Sequence, residues 1–550
     1  MLLKPVAPPY DALAWRKLPF PERARLVCQA WAVQGFGSAH IVYAFYALKI
    51  VFYVGLWVYF CSLTPGLVSG ASLAWVLQPI AFQKAIGWSL LFEVLGLGCG
   101  SGPLTGRIIP PIGGFLYFLR PKTTKLPLFE GAPLIGAQTR GLLDVAAYLA
   151  LLVFAVLALV NPAPGPAQWL PVVVLVAVLG VLDRTIFLAA RGEHYWVTLV
   201  VFTFAPHWIA GAQVVQLALW FFAGVSKLTD HFPSVICVMT SNSPFTTPFP
   251  AYRKSMYRHY PDDLCPSTQA RLETELGVAL EIGTALVMLA GVLLASPALL
   301  AIGLVMMVLL HGFILSNVPM GVPIEWQFIM LYAGFFLFGA HGNVTPLQLD
   351  SIPVAIFLAV FCGLIPILGN LKPEWISFLM AMRYYAGNWA TSIWLFEGES
   401  YRKLARLTKS SPWLPDQVDQ MYGRELSVGY LGKIEAFRLM HLHGRALQQL
   451  VPQAVDALEN YEWVEGELVA GLALGWNFGD GHLHNEQLLR AIQAQCGFAE
   501  GELRVIMLEA QPWGKPTLAY RIHDACSGPR AAGAINVREL LDLQPWPTAH

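Results

Sequence analysis

Long apolar runs separated by short polar connections fill the chain up to about residue 396, and then they stop. A helix needs roughly 20 mostly apolar residues to cross the hydrocarbon core of a bilayer. Runs at 40–63, 72–98, 141–160, 168–190, 276–295, 297–318, 324–340 and 352–371 approach or meet that length. The run at 195–227 has 33 residues, too many for one upright helix and too few for two. Ala205-Pro206 is expected to break it, because proline removes a helix hydrogen bond and clashes with the preceding turn. Residues 373–396 are mixed, with aromatic residues near both ends and Arg383-Tyr384-Tyr385 between, and read as an interfacial or tilted helix. The expected total is about nine membrane helices.

Beyond residue 397 charged residues become frequent. Residues 427–450 have a helical apolar period, and 461–469 read as a hairpin turning at Glu465-Gly466. Residues 485–495 read as a helix capped by Asn485 and ended by Gly497, and 503–508 and 518–522 read as strands. The expected fold is mainly α: a polytopic helical bundle over 40–396, a polar N-terminal segment over 1–39, and a small α+β soluble domain over 397–550. The 100–140 connection carries Arg107, Arg120, Lys122, Lys125 and Arg140. Retention of positive charge on the inner side puts it and the N-terminus in the cytoplasm. An even number of crossings would place the soluble domain on that side too, and nine would not.

Composition agrees with the pattern. The 550 residues are 56% hydrophobic and only 13% charged, against about 25% charged in soluble domains. Zero formal net charge gives no reason to expect nucleic-acid binding. Membrane lipids are the expected partners, with a protein partner open to the soluble domain. The eight cysteines show no zinc or thioredoxin spacing. His441 and His443 would point apart on a continuous helix. Asp480, His482, His484 and Glu486 are explained by a turn and a helix cap, so no metal is expected.

Chemistry concentrates where apolar runs meet charge. Lys227 closes the longest run, after Gly224, with Asp230 and His231 just beyond. It is either a lysine snorkelling to the interface or an amine made useful by burial. Gly224 would let another backbone or a ligand come close. Asp183-Arg184, with Arg191, Glu193 and His194, reads as a solvated loop or a polar wall at the bundle mouth. His311, Glu281 and Glu325 lie in or at the ends of later runs, where ionisable side chains default to functional candidates. Lys49, Lys84 and Glu93 are further intramembrane charges, with Lys84 and Glu93 free to pair with each other or with Lys49.

Three of these places resemble a known family. Phe222-Ala223-Gly224-Val225-Ser226-Lys227-Leu228, Leu182-Asp183-Arg184-Thr185 with His194-Tyr195 after it, and His311 followed by Met320-Gly321-Val322-Pro323 resemble motifs of vitamin K-dependent γ-glutamyl carboxylase and the horizontally transferred transmembrane domain proteins, in the same order. That resemblance implies a carboxylase-like helical fold over about 40–370. It also implies that Lys227 is a base acting on a lipid-soluble substrate, a quinone or an acyl lipid. His194, His231 and His311 would be its catalytic partners, and Asp183, Arg184, Glu281 and Glu325 would bind substrate. A quinone is the implied candidate cofactor. Ser226 stands where the carboxylase has a second lysine, and the tail lacks a counterpart of its lumenal domain. Along its whole length the chain is similar to a family of bacterial multi-pass membrane proteins of unknown function. The residues that carry this are Leu188-Ala-Ala-Arg-Gly-Glu-His194, His231-Phe-Pro-Ser-Val-Ile236, Ser241-Asn-Ser-Pro-Phe245 and Gly475-Trp-Asn-Phe-Gly-Asp-Gly-His-Leu-His484. It implies the bacterial inner membrane and no particular activity. The alternative function is non-enzymatic lipid binding, or a scaffold subunit of a membrane complex.

Overall fold

The computed structural model describes residues 2–70, 72–102, 107–108, 111–317 and 323–547. Among them, six helices are long and apolar enough to cross a membrane, rather than about nine. They are Ile41–Ser62, Leu142–Val160, Trp208–Val225, Thr268–Leu293, Pro297–Leu315 and Ile352–Leu371. Pro166–Leu182, Tyr195–Phe204 and Ile324–Ala340 are apolar but shorter. The 195–227 run breaks as expected, with Tyr195–Phe204 ending at Ala205 before Pro206 and a new helix starting at Trp208. The 72–98 run yields only Pro79–Val94, almost wholly buried.

Lys84, Glu93 and Lys49 find partners other than each other. Lys84 and Glu93 do not pair. Lys84 Nζ donates to the Phe60 carbonyl at 2.6 Å, and Glu93 accepts from the Cys99 amide at 2.8 Å. Lys49 pairs with Glu325 at 2.7 Å.

Residues 373–396 are not a helix. After a short turn at Pro373–Trp375 the chain enters a strand, Thr391–Glu397, whose first six residues are all buried. It is the second strand of a five-stranded antiparallel sheet, in the order Tyr461–Glu465, Thr391–Glu397, Leu503–Leu508, Thr517–Asp524, Gly528–Asn536. A strand buried on both faces reads as a continuous apolar run, which periodicity cannot tell from a helix. The hairpin expected at 461–469 is instead the strand Tyr461–Glu465 followed by the helix Gly466–Leu474, with Glu465 as N-cap. The 427–450 helix is two, Arg424–Met440 and Leu442–Ala454, parted at an extended His441. That break stacks the His441 and His443 rings 5.3 Å apart instead of pointing them apart. Glu486–Cys496 has the expected ends: Asn485 caps it, and Gly497 closes it with φ 61°.

The N-terminal segment folds onto the soluble domain. Phe20–Gln34 packs along the Arg424 helix, and Arg23 pairs with Glu435 at 3.2 Å. Gly429 and Gly432 make the close approach possible, since a Cβ at either would meet Pro8 or Trp15 within 3 Å. The N-terminal segment and the C-terminal domain therefore pack as one unit.

Candidate functional site

A cavity of about 340 Å³ lies where the Trp208, Thr268 and Pro297 helices meet the 384–385 loop. Small-ligand sites run from roughly 300 to 1,000 Å³. Its lining is mostly apolar, with Lys227, Glu281, His311, Arg191 and Tyr384 as the principal polar groups. Leu276 on the Thr268 helix and Phe313 on the Pro297 helix line it and are also exposed, at 62% and 46%. The cavity thus opens to the exposed surface between these two helices.

Lys227 stands just past the Trp208 helix and turns back into the cavity. Its Nζ donates to Glu281 Oε2 at 2.6 Å and to the Ala223 carbonyl at 3.1 Å. Both side chains of the pair are less than a tenth exposed. Gly224 sets the spacing: a Cβ there would fall 2.6 Å from Ile282 Cγ1 and 3.0 Å from the Ile282 amide nitrogen. Backbone cannot swing aside as a flexible side chain can. Gly224→Ala should therefore push the two helices apart, cost about 1–3 kcal/mol, and loosen the Lys227–Glu281 contact. Thermal melting in detergent checks it, and an unchanged midpoint would show that the helices have slack.

His311 has both ring nitrogens engaged. Trp220 Nε1–H can only donate, so His311 Nε2, 3.0 Å away, must accept. The ring proton then sits on Nδ1 and bonds Gln327 Oε1 at 2.7 Å. His311 is a fixed neutral wall of the cavity.

The other expected site residues lie elsewhere. His194 packs edge-on to Trp326, behind the cavity lining, with Nδ1 unpartnered. His231 bonds Gln511 at 3.1 Å where the bundle meets the soluble domain. Asp183 pairs with Arg140 at 2.7 Å and caps the short Arg184–Ala189 helix. Arg184 bonds Gln487 of the soluble domain. Met320-Gly321-Val322 lie outside the described residues.

Several residues that the sequence placed in an interfacial segment or a polar wall enter the site itself. Tyr384 and Tyr385 line the cavity from a segment in which Met382 and Tyr385 hold positive φ, 53° and 50°. Non-glycine residues adopt that region at a cost, and it clusters at functional sites. Arg191 lies over the Trp326 ring at 3.8 Å. It pairs with Glu193 at 2.5 Å and donates to Tyr384 Oη at 3.1 Å and Cys99 Sγ at 3.5 Å. Behind this wall, ligand atoms of Glu93, Cys99 and Glu325 lie within 4.8 Å of one another, a set able to hold a metal.

In the soluble domain, Arg438 joins Glu465, Glu467 at 3.0 Å and His443 Nε2 at 2.7 Å. Burial, then Arg438, pushes His441 and His484 down to about 3. Burial works against a charged His482, and Glu509 at 3.1 Å more than offsets it, so that imidazole is pushed up.

Apolar spans packed round a partly open cavity, with a folded domain at one end, define a multi-pass integral membrane protein. The family described as transmembrane protein of unknown function (DUF3556) matches residues 1–550, and the chain belongs to it. No curated protein and no solved structure matches the chain. The likeness to the carboxylases rests on its short motifs alone.

Proposed function

We propose that the protein takes an amphiphilic, lipid-soluble molecule from the bilayer into the cavity and acts on its polar end at the Lys227–Glu281 pair. The observation that carries this is the buried ion pair inside a mostly apolar cavity that opens to the surface between two helices long and apolar enough to cross a membrane. A protein that only carried lipid would be better served by charges at the rim than by a pair held inside. The volume suits a ring or headgroup and the start of a chain, with the remaining tail leaving between Leu276 and Phe313.

The geometry favours a division of labour between the two groups. Lys227, held as an ammonium by a carboxylate 2.6 Å away, donates to an oxygen of the ligand. Glu281 accepts a proton from an acidic hydroxyl of that ligand. The ligand's O–H bond breaks, an O–H bond forms on Glu281, and the ammonium neutralises the new oxyanion. A quinol or another phenol-like hydroxyl fits this chemistry. The base expected at Lys227 is then Glu281, with Lys227 the electrophilic partner. The basic 100–140 connection supports placing both termini in the cytoplasm.

Gly277 gives a clean test. It lines the cavity, and a Cβ there would meet nothing within 4 Å. Gly277→Phe should fold normally and fill the mouth. Protein purified in native lipid is expected to carry a bound small molecule, detected by mass spectrometry, that the variant loses. Equal small-molecule content in both would sink the reading.

A further inference from the structure

Behind the cavity wall, two carboxylates and a thiol converge. One oxygen each from Glu93 and Glu325 and the sulfur of Cys99 lie within 4.8 Å of one another, and all three residues are buried. They come from the end of the Pro79 helix, the turn after it, and the first turn of the Ile324 helix. Glu325 is the informative member. Both its oxygens are buried without a hydrogen-bond partner among the described residues, although Lys49 Nζ lies 2.7 Å from Oε2 as an ion pair. A buried carboxylate is costly unless paired and hydrogen-bonded. One left with an open oxygen beside a second carboxylate and a sulfur is short of a cation.

Formal charge points the same way. Glu93, Glu193 and Glu325 bring three negative charges against the two positive charges of Lys49 and Arg191. A divalent cation bound through a Cys99 thiolate brings this group to neutrality. Cys99 Sγ donates its S–H to Glu93 Oε1 at 3.1 Å, a proton that a bound cation would displace, and Arg191 Nη1, 3.5 Å from the sulfur, would then support the thiolate. Gly98 keeps the place clear, because a Cβ there would fall 2.4 Å from the Glu93 carboxylate.

We propose that Glu93, Cys99 and Glu325 bind one divalent transition-metal ion of the zinc or ferrous class. A sulfur ligand selects against magnesium and calcium, which take oxygen shells. Three protein ligands leave a further coordination position for water or a ligand. Arg191 touches both this site and the cavity, so the metal sits one side chain away from any bound amphiphile. The assignment stands on its own residues and does not depend on what the cavity holds.

Tag-free, full-length protein purified in detergent without chelator should contain close to one zinc or iron per chain by elemental mass spectrometry. After chelator treatment it should take up Co2+ with the absorption band of a sulfur–cobalt bond, and added Zn2+ should abolish that band. Cys99→Ser should remove the band, and Glu325→Gln should weaken Co2+ binding by about tenfold or more. If either variant fails to fold, the wild-type cobalt titration decides alone. Protein that arrives metal-free and takes up no Co2+ would overturn the proposal, leaving carboxylates that share a proton. Uptake without the sulfur band would overturn it equally, since Cys99 would not be a ligand.

Discussion

Replacing Lys227 by methionine should destabilise the protein by about 3–5 kcal/mol, and replacing Glu281 by leucine as well should restore most of that loss. The single change leaves a buried carboxylate with its ammonium gone, because Glu281 has Lys227 at 2.6 Å and is itself almost fully covered. The double change removes both charges from a lining that is otherwise mostly apolar. Melting curves of the wild type, both single variants and the double variant in one detergent form a double-mutant cycle. Additive losses would mean that the two groups do not interact in solution. The double variant also separates structure from chemistry, since it should fold, keep the cavity and lose its hold on the polar end of the ligand.

Arg438→Met should be at least as damaging, because it strands two carboxylates. Arg438 lies between Glu465 and Glu467 and also holds His443. A loss of about 3–5 kcal/mol or more is expected, and its pH dependence is specific. Burial and then the neighbouring Glu465 already push Glu467 up to about 7, against the pull of Arg438. A carboxyl raised in the folded state contributes stability that is fully present below its unfolded value, near 4.5, and is lost as pH rises through about 7. Without the arginine this behaviour strengthens. The gap between variant and wild type should stay near its low-pH size up to about pH 6 and widen as pH rises past about 7, where the wild-type Glu467 is already ionised and the variant's is not. A gap that narrows with rising pH would show that Arg438 supports the domain by packing alone.

The membrane helices were legible in sequence because long apolar runs and a proline break are local signals. The Asn485 and Gly497 ends of one helix were legible for the same reason. The fully buried Thr391–Glu397 strand was not, since only its place in the middle of the sheet distinguishes it from a helical run. The site was legible in part. Gly224, Lys227 and Glu281 stood out as a small residue and two charges in apolar surroundings; the two charges meet in the cavity with His311, and Gly224 packs against Ile282 beside them. Nothing local in sequence announces that Trp220 and Gln327 will occupy both nitrogens of His311. Nor does it announce that Lys49 will reach Glu325 across the bundle, or that Asp183 will be taken up by Arg140. Those pairings are decided by how helices pack, and the pattern along one helix does not contain them.

The clasp between Arg23 and Glu435 also sets a schedule for making the protein. The two residues are 412 positions apart in the chain. At roughly 5–20 residues per second of synthesis, the Phe20–Gln34 helix leaves the ribosome on the order of 20–80 s before the Arg424 helix exists. All the membrane helices are made in that interval, and until it ends the Phe20–Gln34 helix can be covered only by its earlier neighbours, Phe232–Asn242 and Pro250–Ser255. The face of the Phe20–Gln34 helix that meets the Arg424 helix is thus covered late, and a chain stalled before residue 424 leaves that face exposed.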